Sequence, residues 1–196
     1  MAKAPIAGAI KTRLAREIGT VRATRFARQA TAALLARLGR DPRWQTTIAV
    51  TPDRALVSPI WPAGVPLKPQ GRGDLGQRMQ HLFAERAPGP LIIVGTDIPG
   101  IAARHVANAF RLLGACEAVF GPAVDGGYWL IGMRRRPRLL RPFSQVRWSG
   151  PEALRDTLAN LAGRSVALLA TLADVDGAEA YRGCAQTFAR RVLPPP

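Results

Sequence analysis

Apolar residues along this 196-residue chain recur in two alternating patterns: every third or fourth position over long stretches, and short unbroken runs between those stretches. Val21, Phe26, Ala30, Leu34 and Leu38 share one face of a helix predicted over Val21–Leu38, with Gly39 at its end. A strand follows near Gln45–Val50 and a shorter one near Val65–Pro69. Asp74 is placed to cap a helix whose apolar face is Leu75, Met79, Leu82 and Phe83. Leu91-Ile92-Ile93-Val94 reads as a strand buried on both faces, ahead of a helix over Ala102–Leu113. Ala118–Phe120 and Tyr128–Gly132 are strands separated by the loop Gly121–Gly127. Ser149-Gly150-Pro151-Glu152 has the form of a capping box opening a helix with Leu154, Leu158 and Leu161. Val166–Leu169 is a last strand, Ala178–Arg190 a last helix, and Leu193–Pro196 a loose tail. Helices alternating with continuous apolar strands predict an α/β fold, three-layered with a mainly parallel sheet. No repeat or linker divides the chain, so residues 1–196 are expected to form one domain.

Composition changes this picture little. Hydrophobic residues at 47% and charged ones at 21% are those of an ordinary globular protein. No apolar stretch approaches the roughly 20 residues that span a bilayer. Ile6–Ile10, broken by Gly8, is too short for a signal-peptide core. Cys116 and Cys184 match neither a disulfide framework nor a zinc site, and reduced thiols point to the cytoplasm. Charge changes more. Lys+Arg 28 against Asp+Glu 13 gives +15, a balance that suits a polyanionic partner. Arg22, Arg25, Arg28, Arg37 and Arg40 are strung along one predicted helix, however, as on a solvated face. Aromatic residues, at 6%, do not interleave with the basic ones, so a nucleotide fits better than a nucleic acid strand.

Five segments could carry chemistry. Asp97 follows the Leu91–Val94 strand, at the carboxyl edge where open α/β sheets bind ligands. A lone carboxylate there can hold Mg²⁺ or Mn²⁺ with phosphate oxygens, or simply cap the next helix. In the first segment, Gly8 and small neighbours permit close backbone approach, while Lys3, Lys11 and Arg13 can neutralise phosphate. The spacing is not that of a Walker A loop. Gln70-Gly71-Arg72-Gly73-Asp74 leads into a helix, and the Gln70 amide can offer a base a donor and an acceptor. Asp125-Gly126-Gly127-Tyr128 places a carboxylate before paired glycines, which is also a common turn. Asp174 and Asp176, two apart in extended chain, project to the same side and permit chelation; a turn or cap is the alternative. His81 and His105 have no metal-ligand spacing and read as surface or packing residues.

The order of these segments carries more than any one of them. Ala2-Lys3-Ala4-Pro5, Gly8 and Lys11-Thr12-Arg13-Leu14 come first, then Gln70-Gly71 and Gly73-Asp74-Leu75-Gly76-Gln77-Arg78-Met79. Gly95-Thr96-Asp97-Ile98-Pro99, Gly121-Pro122, Asp125-Gly126-Gly127-Tyr128, Trp148-Ser149 and Asp174-Val175-Asp176 follow. The series resembles a bacterial family of glycosyltransferases associated with radical-SAM and arsenosugar-biosynthesis gene neighbourhoods. That family is similar in fold to the GT-A nucleotide-diphospho-sugar transferases and in style to guanylyltransferases for phospholactate and the molybdenum cofactor. The resemblance spans Lys3 to Asp176.

It implies a metal-dependent transferase acting on a nucleotide or nucleotide sugar and a small acceptor. Glycosyl transfer is favoured, with nucleotidyl transfer or nucleotide binding without turnover as alternatives. By the same resemblance Lys3, Gly8, Lys11, Arg13, Gln70 and Gly71 bind the nucleotide, and Asp97 and Asp125 are catalytic. Gly126, Gly127 and Tyr128 line the acceptor side, and Asp97 with Asp176 holds Mg²⁺ or Mn²⁺. No residue declares itself as the base. Departures from the pattern are Ala7 for proline, Gly100 for an acid, Gly150-Pro151 for Thr-Glu and Gly177 for threonine. They bear on turnover more than on fold. The full apolar strand usual before Ala2-Lys3 is lacking, so the sheet is expected to lack its first strand and to be patched by residues upstream or by homo-oligomerisation.

Overall fold

A computed structural model describes residues 1–85 and 89–184 of the chain. Its elements are β1 (Ala2–Lys3), α1 (Thr12–Ile18), α2 (Thr20–Leu38), β2 (Ile48–Thr51), β3 (Leu67–Pro69), α3 (Leu75–Glu85) and β4 (Leu91–Val94). They continue as α4 (Ala103–Leu112), β5 (Ala118–Pro122), β6 (Tyr128–Met133), α5 (Ala153–Ala159) and β7 (Val166–Leu168). Residues 178–184 are helical; the rest of the helix expected to Arg190, and the tail, lie outside the described residues.

Side-chain alternation along the strands makes the three layers. Val119 and Leu130 turn to one face and pack with Leu34, Leu38, Val106 and Leu113 of the α2 and α4 side. Their neighbours Phe120 and Ile131 turn to the other, where Met79, Phe83, Phe143 and Leu161 cover them. The expected α/β architecture with a mainly parallel sheet is therefore present.

The strands form two ladders, β1-β2-β3 and β4-β6-β5-β7. Pairing is parallel for β1–β2, β2–β3 and β5–β7. Strand β6 runs antiparallel to β4 and β5. Its reversal follows from the short connection of residues 123–127, because a parallel crossover needs a dozen or more residues.

The first strand, expected to be lacking, is present in shortened form. Ala2 and Lys3 pair with Val50 and Thr51. The buried Gln70 amide donates from Nε2 to the carbonyls of Ala2 (3.1 Å) and Ala49 (3.0 Å). The Met1 ammonium donates to Val94 O at 2.7 Å. These bonds satisfy part of the backbone that a short strand leaves open.

Three further expectations need correction. Val21 is 80% exposed; Ala23, Phe26 and Ala27 form the buried face at that end of α2. Strand β4 is half-buried along its length, because a cleft lies beside it. The Ser149 capping box does not form: α5 begins only at Ala153, and Ser149 takes a left-handed φ of 65°. The Leu154 N–H instead donates to Gly126 O at 3.0 Å, so a loop carbonyl takes the side-chain cap's place. Asp74 does cap α3, reciprocally with Gln77.

That Gly126 contact leaves no room for a side chain. Gly126 has φ +84°, and a Cβ there would lie 2.2 Å from Pro151 O. Gly126→Ala is expected to lower the unfolding free energy by about 2–4 kcal/mol in urea denaturation. A change within about 0.5 kcal/mol, as at ordinary surface positions, would contradict the contact.

Candidate functional site

The loop after β1 runs from buried Ala4 and Pro5 through exposed Ile6, Ala7, Gly8 and Ala9 to buried Ile10. A turn closed by Ala9 N–H on Ile6 O, with Gly8 at φ +76°, keeps its backbone open to solvent. A Cβ on Gly8 would meet nothing within 4 Å, so the turn's φ is what requires glycine there. The loop ends at Lys11, in the left-handed region at φ 48°, where α1 starts.

The Lys11 side chain is only 7% exposed, and its ammonium joins the site together. Nζ donates to Asp176 Oδ1 at 2.7 Å and lies 4.0 Å from Asp97 Oδ1. Arg13, 72% exposed, stands 4.0 Å from the other Asp176 oxygen. Four of the sequence-derived residues thus meet at one place. The two carboxylates keep substantial solvent access, at 64% for Asp97 and 43% for Asp176.

A second carboxylate pair joins them. The Asp174 carboxyl is raised above its ordinary value by burial first, then by the Asp176 and Asp125 carboxylates, with Lys11 opposing. Val175 between the two aspartates is buried in the core, which turns both neighbours outward as the i, i+2 spacing predicted. The loop bearing Asp125 reaches this point because Val124 N–H donates to Leu172 O, just before Asp174. Asp125 itself is exposed and accepts the Gly127 N–H at 2.9 Å, making the turn expected of Asp before glycines.

Other candidates sit differently. Lys3 is exposed at the end of β1. Gln70 is 3% exposed, with Nε2 given to two backbone carbonyls and Oε1 accepting from Arg78 at 3.1 Å. Gly71 follows with φ +82° and is half-buried, and the segment becomes exposed from Arg72 through Asp74. The Tyr128 ring packs edge-on against Phe120 and Trp148, and burial pushes its phenol pKa up, partly opposed by Thr157. His105 accepts the Ala102 N–H through Nδ1, a helix-end role, and not a ligand's. Among the described residues no group of three or more His, Cys, Asp or Glu forms a ready metal cage. No helix of the described residues is long and apolar enough to cross a membrane. Sequence reasoning assigned Asp174 no separate role; its signal was the buried Val175 between two acids.

Chain comparisons bear on this geometry. The profile of a family described as an uncharacterized protein conserved in bacteria, DUF2064, matches residues 34–150. No curated protein matches the sequence. A solved structure from Desulfovibrio desulfuricans, assigned as a nucleotide-diphospho-sugar transferase, is 26% identical with a TM-score of 0.82. It covers 95% of this chain, which covers 84% of it. Rv0371c of Mycobacterium tuberculosis is 16% identical with a TM-score of 0.57 over 94% of this chain and 93% of its own. It has also been solved in complex with manganese. A CMP:2-keto-3-deoxy-manno-octonic acid synthetase complexed with CTP is 14% identical with a TM-score of 0.54, over 83% of this chain and 88% of its own. The fold is thus that of the nucleotide-diphospho-sugar transferases.

The raised Asp174 value has a testable sign. A carboxyl whose folded pKa exceeds its unfolded one favours folding when protonated, and that advantage is lost as pH rises from 3.8 through the folded value. Asp174→Asn should therefore raise the melting temperature at pH 7, with the gain shrinking as pH falls toward 3.8. A variant no more stable than the parent at pH 7 would contradict the crowding of carboxylates described here.

Proposed function

The chain belongs to the bacterial DUF2064 family, and from that premise we propose that it is a cytoplasmic, single-domain, metal-dependent transferase that moves a sugar from a nucleotide sugar to a small acceptor. One observation carries the reading: Asp97 and Asp176 share the Lys11 ammonium beside the open Gly8 loop. Likeness to a structure assigned as a nucleotide-diphospho-sugar transferase supports it. The ordered motifs from Lys3 to Asp176 support placement with the transferases of radical-SAM and arsenosugar gene neighbourhoods.

The residues fit a divalent ion. Asp97 and Asp176 both lie within 4.0 Å of the Lys11 ammonium, which supports this reading, and Mg²⁺ or Mn²⁺ needs only one or two protein carboxylates beside phosphate oxygens. Asp97 and Asp176 would hold it. When bound, it supplies positive charge to the diphosphate as that group leaves. Lys3, Lys11 and Arg13 neutralise the same phosphates, and the Gly8 loop and Gly71 backbone approach the nucleotide. Asp125 has one oxygen fixed by Gly127, which leaves the other to orient an acceptor hydroxyl beside Gly126, Gly127 and Tyr128. The hydroxyl oxygen attacks the anomeric carbon, and the bond from that carbon to the diphosphate breaks. The nucleoside diphosphate departs with the electron pair, and the hydroxyl proton passes to Asp125 or to water.

A second reading shares the site. Attack on the α-phosphate, with loss of pyrophosphate, would make the chain a nucleotidyltransferase, and the same fold serves a synthetase that binds CTP. The released product separates the two: nucleoside diphosphate for glycosyl transfer, pyrophosphate for nucleotidyl transfer. In a thermal-shift screen of nucleotides and nucleotide sugars with Mn²⁺, at least one donor should stabilise the protein. Asp97→Ala should abolish the metal-dependent part of that shift. An unchanged shift in the variant would overturn the assignment of Asp97.

A further inference from the structure

The net charge of +15 is not spread evenly over the fold. The carboxylate site lies at the carboxyl ends of the parallel strands. At the opposite edge β2, β5 and β7 begin, β6 ends, and α2, α4 and α5 run out. Among the described residues the carboxylates at this edge are Asp41, Glu85 and Glu117, and each is already paired. Asp41 meets Arg43, Glu85 meets Lys68, and Glu117 meets Arg164.

Arginine outnumbers these acids. Arg40 follows α2, Arg111 lies in the last turn of α4, and Arg136, Arg138 and Arg141 follow β6. All five are exposed, and none has a carboxylate partner among the described residues. The C-terminal dipoles of α2 and α4 suit Arg40 and Arg111, but they do not account for the three on the loop after β6. Hydrogen bonds hold that loop against the edge. Arg134 N–H donates to Glu117 O, beside Arg164, and Asn160 at the end of α5 donates to Pro142 O at 2.9 Å. On the other side Arg135 donates to Gly89 O at 2.7 Å, and Gly89, Arg43 and Trp44 line one cleft.

The setting of these cations selects among polyanions. They stand on separate elements across the end of the sheet, a broad face and not a groove that tracks one strand. Exposed Pro137 and half-buried Leu139 alternate with Arg136, Arg138 and Arg141, and half-buried Trp44 carries the Arg43 guanidinium 4.9 Å from its ring centre. Apolar and indole groups set among arginines add nothing on a phosphate backbone. At a bilayer they sink below the headgroups whose phosphates the guanidinium forks bind.

We infer that this edge docks on an anionic phospholipid surface, with the carboxylate site turned away toward water. Such docking needs no spanning helix, and the described residues contain none. The inference is independent of the transferase reading, since none of the proposed phosphate, metal or acceptor residues lies at this edge.

The test is sedimentation of the full chain with vesicles of equal parts phosphatidylglycerol and phosphatidylcholine, and with phosphatidylcholine alone. At about 0.1 M salt the protein should sediment with the anionic vesicles only, and at about 1 M it should be released. Arg136→Ser, Arg138→Ser and Arg141→Ser together should weaken binding at least about tenfold. Arg22→Ser, Arg25→Ser and Arg28→Ser remove the same charge from the exposed face of α2. Arg28, the nearest of these, stands about 15 Å along α2 from Leu38, beyond the ~10 Å screening length, so this variant should change binding less than about twofold. A parent that ignores anionic vesicles at the lower salt, or equal weakening in the two variants, would overturn the inference. Tighter binding to duplex DNA than to the vesicles, lost with the same three edge arginines, would give the face to nucleic acid and overturn it too.

Discussion

The ammonium of Lys11 ties together parts of the chain 165 residues apart, and the arrangement of the carboxylate site depends on it. A lysine side chain only 7% exposed carries a large desolvation cost unless a carboxylate meets it directly, as Asp176 does at 2.7 Å. That requirement fixes the end of the Gly8 loop against the segment after β7, and brings Arg13 and Asp97 to the same place. It also leaves Asp176 and Asp125 close enough to Asp174 to help burial raise its carboxyl above the ordinary value. Such crowding of like charges beside a single buried ammonium is an arrangement in which ligand binding, and not folding alone, can lower the repulsion.

The sheet beneath this site is built in two pieces, and the junction is where the fold is thinnest. Gln70 spans the β1–β2 side through two carbonyls, and Met1 spans the β4 side through one. The cleft and the carboxylate cluster therefore lie at opposite ends of the same short strand. Lys3 and the Gly8 loop leave one end of β1, and the cleft opens at the other.

Much of this was legible in the sequence because its causes are local. Continuous apolar runs at Leu91–Val94 and Ala118–Phe120 gave strands, and the Asp74–Gln77 spacing gave a cap that the structure contains. The carboxyl-edge position of Asp97 follows from its place after β4, and the outward pair Asp174 and Asp176 from strand periodicity. Features set by distant partners were not legible. Gln70 presents donor and acceptor groups suited to a base, yet its partners are carbonyls 68 and 21 residues away. Ser149-x-x-Glu152 satisfies a capping pattern, but Gly126, brought up by the opposite loop, caps the helix instead. Val21 stands five residues before Phe26, off the i, i+3/i+4 stripe, and so points away from the face that Ala23, Phe26 and Ala27 bury. The two-residue β1 was hidden by its brevity, since nothing within Ala2–Lys3 distinguishes a strand from a solvated terminus.

The central claim is that Asp97 and Asp176 form a pole for a divalent ion held jointly with a nucleotide's phosphates. Electron paramagnetic resonance of Mn²⁺ measures it directly, because the sharp signal of the free aqueous ion falls as the ion is bound. Protein and a nucleoside diphosphate together should reduce that signal well beyond what the nucleotide alone achieves. Replacing both Asp97 and Asp176 with alanine, in a variant shown to be folded, should restore the nucleotide-only level. A signal that falls equally in parent and variant, or that the protein never changes, would contradict the account.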